Sequence, residues 1–142
     1  MGRCFVQLPP SLTFSPAVAE PFFAALRQRF DGNVVLEPRH ASWFEAQAER
    51  LVTRFRVARV VAEPAVFGAA SESGAWGGLV YYRLHGSPKV YYSAYPAAYL
   101  ETLSAKLSVA ARSAAVWCVF DNPAAGAAKA NALDILAQIR SA

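Results

Sequence analysis

Two pairs of side chains have the types and spacing to do chemistry: Glu37 with Arg39 in "LEPRH", and Arg83 with His85 in "YRLHG". Residues two apart on an extended strand face the same way, so each pair can present a fixed cation and a proton-carrying group to one side of a sheet. A carboxylate near a buried arginine stays ionised. An imidazole near one has its protonation disfavoured and can act as a base near neutral pH. On this reading His85 moves a proton, Glu37 orients an arginine or acts as a second acid or base, and Arg39 and Arg83 clamp a phosphate or carboxylate. The ligand would be small and anionic or sugar-like, and the chemistry that of a hydrolase or lyase. Glu37 and Arg39 would serve equally as a structural ion pair at the top of a core.

These pairs fall at the ends of apolar runs, and every such run ends in a polar group. In order the ends read Gln7-Leu8-Pro9-Pro10, Glu37-Pro38-Arg39-His40, Glu63-Pro64, Arg83-Leu84-His85-Gly86 and Asp121-Asn122-Pro123. Gly86 permits close backbone approach to a bound group. Gln7 and Asn122 read as ligand hydrogen-bonding groups or as loop anchors. Glu63 reads as a second carboxylate for the site, or as a capping or ion-paired residue. His40 reads as a ligand contact, or as a capping or solvent-facing residue ahead of Trp43. Trp43 and Tyr92 read as stacking surfaces for a ligand or as packed aromatics.

The elements that must position these groups are legible from hydrophobic pattern. Cys4–Leu8, Val34–Glu37, Ala58–Ala62, Leu79–Leu84 and Val116–Phe120 are short, rich in valine or aromatics and without clean alternation, the look of parallel strands covered on both faces. Helical spacing marks Pro16–Phe30, with Ser15 as N-cap and a stripe of Val18, Phe22, Phe23, Leu26 and Phe30. It also marks Phe44–Phe55, Ala97–Ala111 and Gly126–Ile139, the last through Ala130, Leu133, Leu136 and Ile139. The segment 65–78 lacks such periodicity and reads as loop. The order β-α-β-α-β-loop-β-α-β-α implies right-handed parallel crossovers in one α/β domain over residues 1–142, with ligand chemistry at the carboxyl ends of the strands.

Composition narrows the partners. The chain has 142 residues, 55% of them hydrophobic and 17% charged, enough for a sizeable core. No apolar run approaches the roughly 18 to 20 residues of a membrane span, and the first residues lack the layout of a signal peptide, so a cytoplasmic location is expected. The net charge is +4, with eleven arginines scattered along the chain rather than clustered, which gives little support to nucleic-acid binding. Cys4 and Cys118 sit inside apolar runs without metal-site spacing and read as reduced, buried thiols. No GxGxxG, GxxxxGK[ST], GxSxG or HExxH motif occurs, so no cofactor and no metal is expected.

At the same strand ends the sequence resembles the YecE-like family, domain of unknown function 72, whose members have a TIM-barrel-like fold. The resemblance lies in "VQLPPSL", "VVLEPRHASWF", "YYRLHGS", "YYSAY" and "VWCVFDNPAAGAAKANAL", which run through the chain in the family's order. It implies that Gln7, Glu37, Arg39, His40, Trp43, Arg83, His85, Gly86 and Asn122 line the face of the barrel where active sites lie. It supplies no reaction. Two departures stand out: Glu63 where the family tends to show aspartate, and Asp121 where asparagine is usual. A complete barrel has eight strands and about 250 residues, so five β/α units imply a partial barrel lacking the first three. Such a sheet would leave two edges and an uncovered inner face, to be met by an open sheet, by self-association, or by a separate chain. The alternative to an enzyme is a non-catalytic ligand-binding or interaction module.

Overall fold

The computed structural model describes residues 2–66 and 68–141. Five parallel strands and one short antiparallel strand form a single curled sheet. In chain order they are β1 (Arg3–Gln7), β2 (Asn33–Glu37), β3 (Val57–Glu63), β4 (Gly74–Ala75), β5 (Leu79–Leu84) and β6 (Ala115–Phe120). The helices are α1 (Pro16–Arg29), α2 (Ala46–Arg54), α3 (Ala97–Ala110) and α4 (Ala127–Ser141). Spatial order is β1-β2-β3-β5-β6, with all four of these pairings parallel and β4 set antiparallel against the start of β3. The expected parallel α/β, half-barrel architecture is therefore what the chain adopts.

The helix-facing side of the sheet carries two apolar clusters. Val34, Leu36 and Val57 pack with Ala19 and Phe23 of α1 and with Ala48, Leu51 and Val52 of α2. Leu84 packs with Leu100, Leu103 and Leu107 of α3 and Ile135 of α4. The concave side is built from the alternate residues Val35, Ala58, Val60 and Leu79, joined by Tyr81 and Trp76. Curvature brings distant strands together across this side. Although β1 and β6 are opposite ends of the sheet, the Arg3 guanidinium lies 3.5 Å from the Trp117 ring centroid, and Phe5 lies 6.0 Å from Tyr81. The sheet thus curls as a barrel sector does, with Phe5 and Trp117 part-exposed on its concave side.

Four local expectations change. The segment read as loop holds a 3-10 turn, Gly68–Ser71, and β4, which is held to α2 because the Ala75 amide donates to Glu49. The helix expected over Phe44–Phe55 is shortened to α2: Phe44 instead closes a 3-10 turn, Ala41–Phe44, and extended Glu45 separates the two. In α1, Ala19 and Phe23 are buried whereas Val18 and Phe22 are exposed; Ser15 receives the first turn through its backbone carbonyl, not its side chain. In α4 the buried line runs through Ala127, Asn131 and Ile135, leaving Leu133, Leu136 and Ile139 exposed. Both helices stand at ends of the sheet, where one flank has no neighbouring helix among the described residues, so an apolar stripe wider than one contact face stays open.

Candidate functional site

The carboxyl ends of β1, β2, β5 and β6 meet around one guanidinium. Gln7 and Glu37 stand opposite each other in register, and Arg83 lies on the same concave face two strands away. Arg83 Nη1 donates to Glu37 Oε2 at 2.8 Å and Nη2 donates to Asp121 Oδ2 at 2.8 Å. Its guanidinium also lies 5.3 Å from the Phe5 ring centroid, so an aromatic face backs the cation. Arg39 Nη2 donates to the other Glu37 oxygen at 3.2 Å. With its amide turned so that Oε1 faces Arg39, Gln7 accepts from Arg39 Nε at 3.2 Å and Nη2 at 2.9 Å. Two arginines and two carboxylates thus neutralise one another in a continuous array.

His85 joins this array from the residue just past β5. Its ring is buried, 7% exposed, and Nδ1 lies 3.3 Å from the Asp121 oxygen already held by Arg83, without the alignment of a hydrogen bond. Burial, then the charge of Arg83, lowers the proton affinity of His85; Glu37 and Asp121 pull the other way, and Arg39 opposes them. The imidazole is therefore held neutral at pH 7, as a base should be. For Arg83 burial acts to lower the pKa, but hydrogen bonds and charge from Glu37 and Asp121 outweigh it, and the group stays a fixed cation.

The loop after β5 packs over His85. Gly86 has φ +93°, and a Cβ there would lie 2.8 Å from the Ser93 carbonyl oxygen. Its amide donates to the Tyr95 hydroxyl at 2.8 Å. Gly86→Ala is expected to cost about 2 kcal/mol, from left-handed backbone strain plus the clash, read as a lower urea midpoint at unchanged m-value. Asn122 is fully buried and anchors the same loop, donating to the Ser93 carbonyl at 2.9 Å and to Asn131 Oδ1 at 3.2 Å.

Four candidates from the sequence stand outside the cluster. Glu63 shares the strand parity of Arg59 and points to the helix-facing side, where it lines a cavity with Tyr82 and Tyr99. His40 Nδ1 accepts from the Ser42 amide at 3.2 Å and caps the 3-10 turn. Trp43 is buried, donates Nε1 to the Leu12 carbonyl at 3.0 Å and packs edge-on against Phe14. Tyr92 is 59% exposed, with Lys89 Nζ 4.1 Å from its ring centroid. Two residues not singled out as site candidates belong with the cluster. Asp121 bridges Arg83 and His85, and Tyr91, with φ +67° and a half-exposed ring, meets the His85 ring edge-on at 5.6 Å. The signal for Asp121 was in the sequence, two residues beyond Val119, which pairs with Arg83 in register. Among the described residues, no group of three His, Cys, Asp or Glu side chains could hold a metal ion.

The relationship of this arrangement to other proteins is settled by the family model described as Protein of unknown function DUF72, which matches residues 1–142. The chain belongs to the DUF72 family. A comparison with curated proteins gives no match. Among solved structures, a DUF72 protein from Thermotoga maritima superposes with a TM-score of 0.78 at 22% identity, covering 98% of this chain and 58% of that one. A DUF72 protein from Enterococcus faecalis gives 0.75 at 18% identity, over 96% of this chain and 60% of its own. The shared fold is evident, and the chain spans less than two thirds of these relatives' length. The family description assigns no activity, so the chemistry must be argued from the residues. No helix among the described residues is long and apolar enough to cross a membrane.

Proposed function

We propose that the strand-end cluster of this DUF72 chain binds a small sugar-like ligand and that His85 transfers a proton to or from it, in hydrolase or lyase chemistry. The observation that carries this reading is the occupancy of Arg83: one terminal nitrogen is committed to Glu37, the other to Asp121. An anion entering there would have to displace a carboxylate, and two arginines against two carboxylates leave no surplus positive charge. Hydroxyl groups suit the array better, since Asp121 at 33% and Arg39 at 32% side-chain exposure still offer an acceptor and donors to a ligand. Neutral His85, with its ring beside the Asp121 carboxylate, supplies the base, and that carboxylate stabilises the imidazolium formed by proton uptake.

The test is calorimetric titration of the purified chain with neutral monosaccharides and with the corresponding sugar phosphates, repeated on His85→Gln and Arg39→Gln. Saturable binding of a neutral sugar, weakened in Arg39→Gln, supports the reading. Binding of the phosphates alone restores the anion clamp, and binding of neither class overturns the proposal.

A second reading, an interaction module, has its own support. Phe5 and Trp117 are 39% and 40% exposed on the concave side, Val18, Phe22 and Leu133 are open on the end helices, and both edge strands lack a partner among the described residues. Self-association through these surfaces predicts a mass that rises with concentration in light scattering; a constant monomer mass counts against it.

A further inference from the structure

Glu63, which the strand-end cluster does not use, lies on the helix-facing side of the sheet at a place where the layer of helices is interrupted. Between β3 and β5 the described residues make only a 3-10 turn and β4 and no full helix, which leaves the outer surface beside α3 open. The opening is a cavity of about 260 Å³ whose polar wall comes from Glu63, Glu72, Tyr82, Tyr99, Thr102 and Lys106. Three features make it more than a gap. Among the described residues no arginine, lysine or histidine lies within ion-pairing distance of the Glu63 carboxylate, unlike Glu37 and Glu49, each of which has an arginine. Two carboxylates face a single lysine in the lining, which leaves a net negative charge. Two tyrosine rings stand among these acids, Tyr99 being stacked in turn on Tyr95 at 4.6 Å. Burial, and after it the charge of Glu63, pushes the Tyr99 phenol well above its ordinary value, so that charge is felt at the ring.

The geometry points to a second site, on the opposite face of the sheet from His85, that takes a small organic ammonium ion between the Glu63 carboxylate and the Tyr82 and Tyr99 rings. A carboxylate without a cation and an aromatic surface attract the same guest by two routes, direct charge pairing and cation–π contact. The volume suits an amine of a few heavy atoms rather than a peptide or a nucleotide. Exposed Lys106 sets the polarity, since it repels a second cation and favours a guest with one ammonium group. Glu72, from the segment between the 3-10 turn and β4, closes the acidic side.

The experiment is a two-dimensional NMR titration of the whole chain with choline chloride and with ethanolamine hydrochloride, with sodium acetate at matched ionic strength as control. The expected result is saturable shifts at Glu63, Thr102 and Leu103 with one or both cations and none with acetate. Glu63→Gln, an isosteric change, is expected to weaken binding about tenfold, a loss of roughly 1.4 kcal/mol. Glu72→Gln, on an exposed position, gives a weaker loss and serves if Glu63→Gln does not fold. Absence of saturable shifts with either cation, or unchanged affinity in a folded Glu63→Gln, overturns the site. His85→Gln should titrate as the wild type does, so this site stands or falls separately from the strand-end cluster.

Discussion

Replacing Arg83 with methionine is expected to lower the unfolding free energy at pH 7 by about 3 kcal/mol. The loss would follow less from the missing attraction than from what is left behind. The Glu37 side chain is only 6% exposed and would keep one donor, Arg39, while Asp121 would lose its arginine altogether. Breaking a buried pair by removing one partner costs more than replacing both, because the remaining charge is neither solvated nor compensated. The double variant Arg83→Met with Glu37→Gln should therefore recover much of the loss. Urea unfolding of the single and double variants at pH 7 reads both effects. A deficit below about 1 kcal/mol, the range of exposed ion pairs, would show that the cluster is a surface feature.

Asn131→Leu is the second large effect, with an expected cost of about 3 kcal/mol. The side chain is 3% exposed on α4 and completes the backbone of a residue far away in sequence: the Tyr95 amide donates to its Oδ1 at 3.0 Å, and its Nδ2 donates to the Tyr95 carbonyl at 3.2 Å. Leucine has similar size but leaves both Tyr95 backbone groups buried without partners, and an orphaned buried donor or acceptor costs about 1 to 3 kcal/mol. The consequence reaches the site. Tyr95 accepts from the Gly86 amide and Asn122 holds the Ser93 carbonyl, so the loop over His85 hangs on this amide network. Hydrogen exchange at Gly86 and Tyr95 should speed up in Asn131→Leu more than exchange in the β2–β3 ladder. Equal acceleration everywhere would mean that the substitution acts only through global stability.

The parallel strands were legible because each is apolar on both faces, and the convergence of polar groups was legible because each run stops at a charged or amide residue. The same two-sided apolar character hid which way a strand-end side chain faces. Glu63 was grouped with the other strand ends, yet it shares parity with Arg59, whose guanidinium is taken by Glu49 of α2 on the helix side. The run "VARVVA" is apolar on either side of Arg59, and one charged residue gives no alternation by which to tell the two faces apart. In α1 and α4 periodicity located the helices but overstated their buried faces, since Val18, Phe22, Leu133 and Leu136 have a neighbour on one flank only. Of the paired tyrosines, the sequence favoured Tyr92, and the structure puts Tyr91 against His85; a left-handed backbone at Tyr91 decides which ring turns inward, and that is not a property of composition.

The most direct test of the account is the NMR titration of the His85 ring in the wild type and in Asp121→Asn. Burial and Arg83 disfavour the proton, so the wild-type midpoint should lie below the ordinary 6.5, and folding should lose stability as pH falls beneath that value because the unfolded chain takes up the proton first. Asp121 opposes that shift, so Asp121→Asn should move the midpoint lower still. A wild-type midpoint at or above 6.5, or one indifferent to the loss of the Asp121 charge, would contradict the coupled acid–base cluster on which the functional reading rests.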